Sequence, residues 1–354
     1  MPINTSRTTY REHTDTENIL KLRQVLSTLP AFCKDYFRAI DSTTTTKTRI
    51  SYAYDIRIFF QFLLDKNPAF KNYAMTDFSV KVLDQIKAVD LEEYMEYLKV
   101  YQNGDKTETN GERGLKRKIS ALRSFYAYYY KREMIHTNPT VLIDVPKIHD
   151  KSIIRLDTDE VALLLDYIEH CGDSLTGQKR VYYEKTKERD LAIVTLLLGT
   201  GIRVSECVGL DIEDVDFKNN GIKVTRKGGN EMVVYFGEEV EKALTRYLEV
   251  RAGITPLAGH EHALFYSAQR KRMGVQAVEN MVKKYSRQIT TTKKITPHKL
   301  RSTYGTALYQ ETGDIYLVAD VLGHKDVNTT KKHYAALDDA RRRQAATAVR
   351  LRED

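Results

Sequence analysis

The sequence has little cysteine and no long apolar run. Its 354 residues include only three cysteines, Cys33, Cys171 and Cys207. Their wide separation matches neither a disulfide framework nor a zinc pattern, so we expect buried, reduced thiols. The longest apolar stretch, residues 191–198, is far shorter than the roughly 18 residues that a membrane span requires, and the amino terminus lacks the apolar core of a signal peptide. These absences exclude a disulfide scaffold and an integral membrane protein, and they predict a cytoplasmic protein.

Positive charge, by contrast, is in excess and evenly spread. The chain contains 56 Lys+Arg against 48 Asp+Glu, a formal net charge of +8. Residues 1–150 contain 23 basic and 19 acidic side chains, which leaves 33 and 29 for the remainder, so each part carries about +4. This balance permits a polyanionic partner without requiring one. With 42% hydrophobic and 29% charged residues the composition is that of a globular protein, and the length predicts two domains.

The first 140 residues have the pattern of a helical domain. Over residues 48–64, Ile50, Tyr54, Ile58 and Phe62 recur every four positions and define one apolar face. The spacing predicts further helices over 18–29, 31–40, 91–101 and 116–131, and it predicts a loop over 102–114. We therefore predict a polar extension over residues 1–30, followed by an all-helical bundle over residues 31–140.

A second domain is predicted to be mainly α with a small sheet. Pro139 and Pro146 predict a linker over 141–155, before a domain over 156–354. Asp157 with Glu160 three residues on is typical of a helix start. Three short β-patterned runs, separated by turns that contain glycine, predict an antiparallel meander between residues 215 and 236. Helical spacing resumes over 238–251, 275–288, 297–312 and 315–322.

His298 and Arg301 are the most informative pair of polar residues. Thr296 suits a helix N-cap and Pro297 the first helical position, which puts His298 and Arg301 three residues apart in the first turn. A helix amino terminus with a guanidinium and an imidazole forms a site for a phosphate group. The alternative is a capped surface helix that happens to carry both residues.

Four other positions carry chemistry of the same kind. Arg203 follows a glycine turn at the end of a buried helix, and Glu206 is spaced to hold its guanidinium. Lys227 lies at the tip of the predicted meander, and His324 follows a glycine that stops a helix. Tyr334 comes ten residues after His324. Taken singly, each has an ordinary alternative, such as a surface ion pair or a solvated lysine.

In their order along the chain, six residues resemble the catalytic set of the tyrosine recombinase family: Arg203, Lys227, His298, Arg301, His324 and Tyr334. The likeness is to Xer-type recombinases, especially the single-protein Xer enzymes of low-GC Gram-positive bacteria, and it covers nearly the whole chain after residue 25. It is carried by KERDLAI at 187–193, VTRKGG at 224–229, TPHKLR at 296–301 and KISALRSFY at 118–126. The sequence departs from the pattern in the ten-residue spacing before Tyr334, where relatives commonly have nine, and in Ser302, where relatives often have histidine.

The resemblance implies an enzyme that cuts and rejoins DNA at specific sites. Tyr334 is the implied nucleophile, and its 3′-phosphotyrosyl intermediate conserves the energy of the phosphodiester. His298 is the implied base for the tyrosine, whose unperturbed pKa is near 10. Lys227 is implied to give a proton to the leaving 5′-oxygen, and His324 to hydrogen-bond the scissile phosphate.

The two arginines of the set take the place of metal ions in this chemistry. The resemblance implies that Arg203 and Arg301 bind the non-bridging oxygens of the phosphate and stabilise the charge of the pentacovalent transition state. The sequence contains no compact carboxylate cluster of the two-metal kind and no Gly-rich phosphate loop. We therefore expect no metal, no ATP and no other cofactor.

The implied partner is a double-stranded DNA recombination site, clamped by both domains. In the first domain the expected phosphate contacts come from five basic residues, Arg113, Lys116, Arg117, Lys118 and Arg123. Tyr126 and Tyr129 are instead expected in the core. The resemblance further implies a homotetramer on paired sites, assembled by exchange of a C-terminal helix over 337–351, with a DNA translocase as activator, at the nucleoid and without a membrane.

Four functions are compatible with these residues. The prediction is Xer-like resolution of chromosome dimers, a step of chromosome partition at cell division. A phage or transposon integrase would use the same chemistry, but it would add an arm-binding domain, for which 30 polar residues are short. A type IB topoisomerase would relax supercoils as a monomer without a specific site. A DNA-binding protein with a decayed site is disfavoured by the presence of all six catalytic-type residues.

Overall fold

The structure is a computed structural model that describes residues 10–148, 153–226, 229–324, 326–328 and 330. The chain divides into two compact units, Met1–Asp150 and Lys151–Asp354. The ends of the predicted linker stay a prediction. Within the described ranges, no helix has the length and apolar character that crossing a membrane requires.

Besides four short 3-10 helices, the described part of the first unit contains five α-helices and one hairpin. In chain order these are α1 (Tyr10–Ser27), α2 (Cys33–Ala39), α3 (Thr46–Lys66), α4 (Ala88–Lys99), β1 (Val100–Asn103), β2 (Lys106–Thr109) and α5 (Glu112–Tyr130). Helix α3 begins where the side chain of Thr45 accepts a hydrogen bond from the backbone N–H of Thr48 (3.2 Å). The helices predicted over this part of the chain are present, although α1 begins eight residues before the predicted residue 18 and the other ends differ by a few residues.

Aromatic side chains form the core of the first unit. Phe60 on α3 meets Phe125 on α5 edge to face, with ring centroids 6.3 Å apart, and Phe125 meets Tyr129 in the same way at 5.0 Å. Tyr126 and Tyr129 are fully buried, which confirms their expected place in the core. The hydroxyl of Tyr129 donates to the carbonyl of Phe32 (2.7 Å), so burial leaves this polar atom paired.

Helix α1 belongs to this core, contrary to the prediction of a polar extension over residues 1–30. It packs against α3, and its side chains Leu22 and Val25 are buried in the same cluster, as is Leu29 just after it. The prediction of an extension rests on the polar residues that make up most of this segment. A stripe of three apolar residues at helical spacing is enough to bury one face of the helix. Residues 1–9 of the predicted extension lie outside the described residues.

A hairpin occupies part of the segment predicted as a loop and ends the predicted all-helical run. Strands β1 and β2 pair antiparallel, with Val100 opposite Thr109 and Asn103 opposite Lys106. Only Tyr101 among the eight strand residues is buried. The strands therefore lack the alternation of apolar and polar residues by which a sequence predicts a half-buried strand. The prediction of a loop over 102–114, and of a helix continuing to residue 101, is wrong here.

The described part of the second unit is mainly α with a three-stranded sheet, which confirms the predicted fold class. Its elements are α6 (Thr158–His170), α7 (Gly177–Thr200), α8 (Val204–Gly209), β3 (Val215–Asp216), β4 (Gly221–Thr225), β5 (Glu231–Tyr235), α9 (Glu238–Ala252), α10 (Val275–Ile289), α11 (Pro297–Thr312) and α12 (Ile315–Leu322). The strand order is β3-β4-β5, antiparallel throughout, as the turn residues predict. Helix α6 begins as expected, because the N–H of Asp157 donates to the Glu160 carboxylate (2.8 Å).

Helix α7 is the centre of the second unit. It packs against α6, α9 and α11, and its residues 192–197 are almost completely buried. The buried carboxylate of Asp190 on this helix accepts hydrogen bonds from Arg189 and from the hydroxyl of Tyr285 on α10 (3.0 Å). A buried charge of this kind is tolerated because it is paired and hydrogen-bonded. The network joins the middle of α7 to α10.

All three cysteines are free and buried, as the sequence predicts. Burial raises the pKa of the Cys207 thiol to about 12. The thiols of Cys33 and Cys171 are raised in pKa for the same reason. At neutral pH these residues are therefore protonated side chains of the core.

Candidate active site

The site begins at the turn that follows α7. Helix α7 ends at Thr200, and the next residue, Gly201, has a left-handed backbone (φ +62°). A Cβ at this position would lie 2.3 Å from Tyr304 and 2.9 Å from Leu322, so the turn requires glycine on both conformational and steric grounds. This close approach brings the end of α7 onto α11 and α12. Arg203 follows two residues later, at the N-cap of α8.

Glu206 holds Arg203, as their spacing predicts. The guanidinium Nη1 of Arg203 donates to Glu206 Oε1 (2.8 Å), and the backbone N–H of Arg203 donates to Oε2 (2.8 Å). The Glu206 side chain is 3% exposed, whereas that of Arg203 is 34% exposed. The carboxylate is therefore a buried anchor, and the guanidinium extends from it toward solvent.

Arg301 is a buried guanidinium, 4% exposed, that lies in the first turns of α11. Its Nη1 donates to the carbonyl of Gly201 (2.5 Å), and its Nη2 donates to the carbonyl of Leu322. Helix α11 begins as predicted, after Thr296 and with Pro297 at its first position, although the Thr296 side chain makes no capping hydrogen bond. The side chain of His298, three residues before Arg301, is exposed.

His324 emerges directly from the end of α12. The helix ends at Leu322, the next residue, Gly323, is left-handed (φ +60°), and the backbone N–H of His324 donates to the carbonyl of Ala319 (2.9 Å). The ring Nδ1 lies 2.6 Å from the hydroxyl oxygen of Thr330, a fully buried residue. His324 is thus held through its backbone N–H at the end of α12 and through its ring at Thr330.

Arg226 is a third arginine at this place, and it is not among the six residues predicted from the sequence. Its side chain is buried; Nη1 donates to the carbonyl of Leu322 (2.7 Å) and Nη2 to the carbonyl of Val321 (2.7 Å). Burial lowers the pKa of Arg226, and the nearby Glu206 carboxylate opposes that shift. The sequence does indicate that Arg226 is buried, because the alternation of strand β4 puts residue 226 on the same face as the buried Ile222 and Val224.

Three arginines therefore meet at the carboxyl end of α12. Arg226 and Arg301 share the carbonyl of Leu322, and Arg203 Nη2 lies 3.4 Å from the carbonyl of Gly323. The carboxyl end of a helix carries partial negative charge, so cations there are favourable. Glu206 neutralises one of the three positive charges. The remaining positive charge of the guanidinium groups lies beside His324 and is suited to binding an anionic phosphate.

The structure brings together Arg203, Arg301 and His324 from the predicted set. Two further predicted catalytic residues, Lys227 and Tyr334, lie outside the described residues. The predicted C-terminal helix over 337–351 also lies outside them. Among the residues that the structure describes, no group of three or more His, Cys, Asp or Glu is arranged to hold a metal ion.

Contrary to the prediction of five phosphate contacts, the basic residues of α5 do not all face outward. Lys118 is buried, and its ammonium lies 3.4 Å from the buried carboxylate of Asp55 on α3, which Arg117 also contacts. Arg123 donates to the carbonyls of residues 140 and 143. These side chains hold the unit together, since a buried carboxylate requires a cationic partner. Arg113 and Lys116 are exposed.

Comparison with known proteins identifies the family. The phage integrase family matches residues 155–341, more than half of the chain. Over 328 residues the chain is 33% identical to the tyrosine recombinase XerC of Caldanaerobacter subterraneus subsp. tengcongensis, covering 90% of this chain and 86% of the relative. The chain belongs to the phage integrase family. It is thus a tyrosine site-specific recombinase, an enzyme class that cleaves and rejoins DNA strands through a tyrosine intermediate.

Two further comparisons extend over most of the chain. It is 31% identical over 340 residues to the tyrosine recombinase XerS of Lactococcus lactis subsp. cremoris, which covers 89% of this chain and 93% of that protein. The structure resembles that of the XerH site-specific recombinase bound to palindromic difH substrate in a post-cleavage complex, with a TM-score of 0.66 and 20% identity. That likeness covers 97% of this chain and 90% of XerH, and it establishes a shared fold.

Proposed function

We propose that this phage integrase family protein resolves chromosome dimers by Xer-type recombination at a specific DNA site. The observation that carries the proposal is the meeting of Arg203, Arg301 and His324 at the end of α12, although more than 90 residues separate the first from the second. Relatives named XerC and XerS, similar over about nine-tenths of the chain, support the Xer role.

The arginines would supply the stabilisation that a phosphodiester needs during attack. Arg203 is anchored at Glu206 and reaches solvent, so its guanidinium is preorganised to bind a non-bridging phosphate oxygen. Arg301 is buried behind it, where a positive charge is screened less by water than at an exposed position. Both groups are fixed by backbone carbonyls before DNA arrives, which reduces the reorganisation required in the transition state.

His324 would bind the same phosphate through its Nε2 atom. The contact between Nδ1 and the hydroxyl of Thr330 sets the orientation of the ring. His298, exposed in the first turn of α11, would accept the proton of Tyr334 as that residue attacks. Lys227 would protonate the leaving 5′-oxygen. The product of this step is a 3′-phosphotyrosyl bond and a free 5′-hydroxyl.

Assembly on DNA completes the proposal. Each unit would contribute phosphate contacts to one duplex, and four copies on two sites would exchange C-terminal helices from residues 337–351. A DNA translocase would trigger the second strand exchange at the nucleoid. The even distribution of the +8 charge over both units supports contacts from both.

The structure of α5 leads to a prediction about salt dependence. Lys116→Ala should weaken DNA binding and lower the slope of log affinity against log salt by about 1, because an exposed lysine displaces one counterion from a phosphate. Lys118→Met should leave the slope unchanged and lower the melting temperature, because it uncouples Asp55 from a buried partner. Fluorescence anisotropy over a salt series measures the slope. Equal slopes for the two variants would contradict this assignment.

The proposed function is tested by covalent trapping of the full chain. Genomic DNA fragments that the protein retains give its binding site, which is then made as a duplex with a nick beside the cleavage position. We expect the strand labelled at its 5′ end to become attached to the protein, and the released fragment to carry a 5′-hydroxyl. A retained site near the replication terminus supports dimer resolution, whereas retained sites at the ends of a mobile element favour an integrase. Relaxation of supercoiled plasmid without a specific site would indicate a topoisomerase instead.

A further inference from the structure

Arg226 connects two separate elements of the second unit. Its backbone closes the turn after β4, since its N–H donates to the carbonyl of Asn230 (2.7 Å) and its carbonyl accepts from Gly229 (2.9 Å). Its side chain crosses to α12 and donates to the carbonyls of Val321 and Leu322, both at 2.7 Å. Side chain and backbone of one residue thus fasten the sheet to the last turn of the helix.

The contact between Arg226 and α12 is close and leaves little freedom. A Cβ on Gly323 would lie 2.7 Å from Arg226 Nη1, so the guanidinium fits against a residue that has no side chain. Its Nε donates to the sulfur of Met232 (2.9 Å), and Nη1 lies 3.9 Å from Glu206 Oε2. A planar guanidinium satisfies several acceptors at fixed angles, which an ammonium does not do.

The contacts that the structure shows for Arg226 lie within the protein. Only 8% of its surface is exposed, and its terminal nitrogens are bonded to backbone carbonyls. Arg226 can influence His324, which follows Leu322 by two positions. The backbone N–H of His324 donates to the carbonyl of Ala319, within the same turn. A shift of that turn would move the imidazole by a similar distance, because the chain between them is a single glycine.

We propose that Arg226 is a positioning residue for strand cleavage: by binding the last carbonyls of α12 it fixes His324 at the scissile phosphate. The inference rests on the role proposed above for His324. Arg301 on α11 donates to the same Leu322 carbonyl, and Arg203 lies 3.4 Å from the carbonyl of Gly323, so loss of Arg226 removes the attachment of the turn to the sheet and leaves these two contacts. The effect is therefore expected on the rate of chemistry and not on DNA affinity.

The test is a double-mutant cycle between Arg226 and His324 in the full chain, read as single-turnover cleavage of the nicked duplex at saturating protein. Arg226→Met should slow cleavage about 10- to 100-fold, because the largest expected effect is that of losing one preorganised hydrogen-bond donor to the transition state. The DNA affinity of this variant should stay within about twofold of the wild type. In the His324→Ala background the same change should slow cleavage by less than about twofold, because residues that act through one another are not additive. Arg226→Lys should recover part of the cleavage rate, and it takes the place of Arg226→Met in the cycle if that variant is unstable.

Arg251→Met is the matched control. Arg251 is a partly buried arginine that also donates to backbone carbonyls, those of residues 261, 263 and 264. It should lower the melting temperature without any coupling to His324. An undiminished effect of Arg226→Met in the His324→Ala background would overturn the proposal, and so would an effect that disappears only in a Lys227→Ala background. If His324→Ala itself cleaves normally, the role of His324 fails and the inference fails with it; if only Arg226→Met cleaves normally, the inference alone fails.

Discussion

Tyr334→Phe is expected to bind the recombination site with unchanged affinity and to form no covalent complex on the nicked duplex. Phenylalanine keeps the ring but has no oxygen to attack phosphorus, so the step that conserves the phosphodiester bond cannot begin. The loss should be complete within the detection limit, since water replacing the tyrosine would give hydrolysis and no protein-linked strand. The measurement is denaturing electrophoresis of the labelled strand with wild type and variant in parallel.

Tyr316→Phe is the control for this experiment. Tyr316 is the last tyrosine before Tyr334 and is 71% exposed on α12, close in sequence to His324. It should trap DNA as the wild type does. Covalent trapping by Tyr334→Phe would exclude Tyr334 as nucleophile, and loss of trapping by Tyr316→Phe together with retention by Tyr334→Phe would move the assignment to Tyr316. The ten-residue spacing from His324 to Tyr334 makes this comparison informative.

Arg301→Lys is expected to lower the cleavage rate about 10²- to 10³-fold with little change in DNA affinity. The two terminal nitrogens of Arg301 bind the carbonyls of Gly201 and Leu322 at once, and a lysine ammonium cannot hold both at the angles of a planar guanidinium. The charge is kept, so the experiment separates geometry from charge. The unbound carbonyl should also lower the free energy of unfolding by about 1–3 kcal/mol.

Arg251→Lys is the corresponding control, because Arg251 likewise donates to more than one carbonyl of the second unit. It should lose stability of similar size and keep its cleavage rate. Single-turnover rates and thermal melting of both variants give the comparison. A cleavage rate for Arg301→Lys within tenfold of the wild type would show that the bidentate geometry is not required for catalysis.

Much of the fold could be predicted because the signals were local. The helices α11 and α12 have the predicted ends, since proline and glycine mark them directly. The meander of β3, β4 and β5 was predicted from its glycine turns. The hairpin of β1 and β2 was missed, because seven of its eight strand residues are not buried and no apolar alternation records its pairing.

Within the candidate site, prediction from the sequence was limited for a different reason. Arg203 with Glu206 was predictable from a spacing of three residues. Lys118 was expected at the DNA and is instead buried beside Asp55, 63 residues earlier in the chain. Arg226 was passed over for its neighbour Lys227, although strand alternation puts residue 226 on the inward face. In both cases the deciding partner lies on another element, and no local pattern names it.

The sequence by itself determined the family, the order of six catalytic-type residues and the mainly helical class, because each is recorded in residue types at fixed spacing. Only the tertiary structure decided which charges are available to DNA and which are used internally. Lys118 and Arg226 are basic residues like their neighbours, but burial obliges them to pair with Asp55 and with the carbonyls of α12. The reason is physical: a charge removed from water must find a partner, and which partner is near depends on the packing of distant segments.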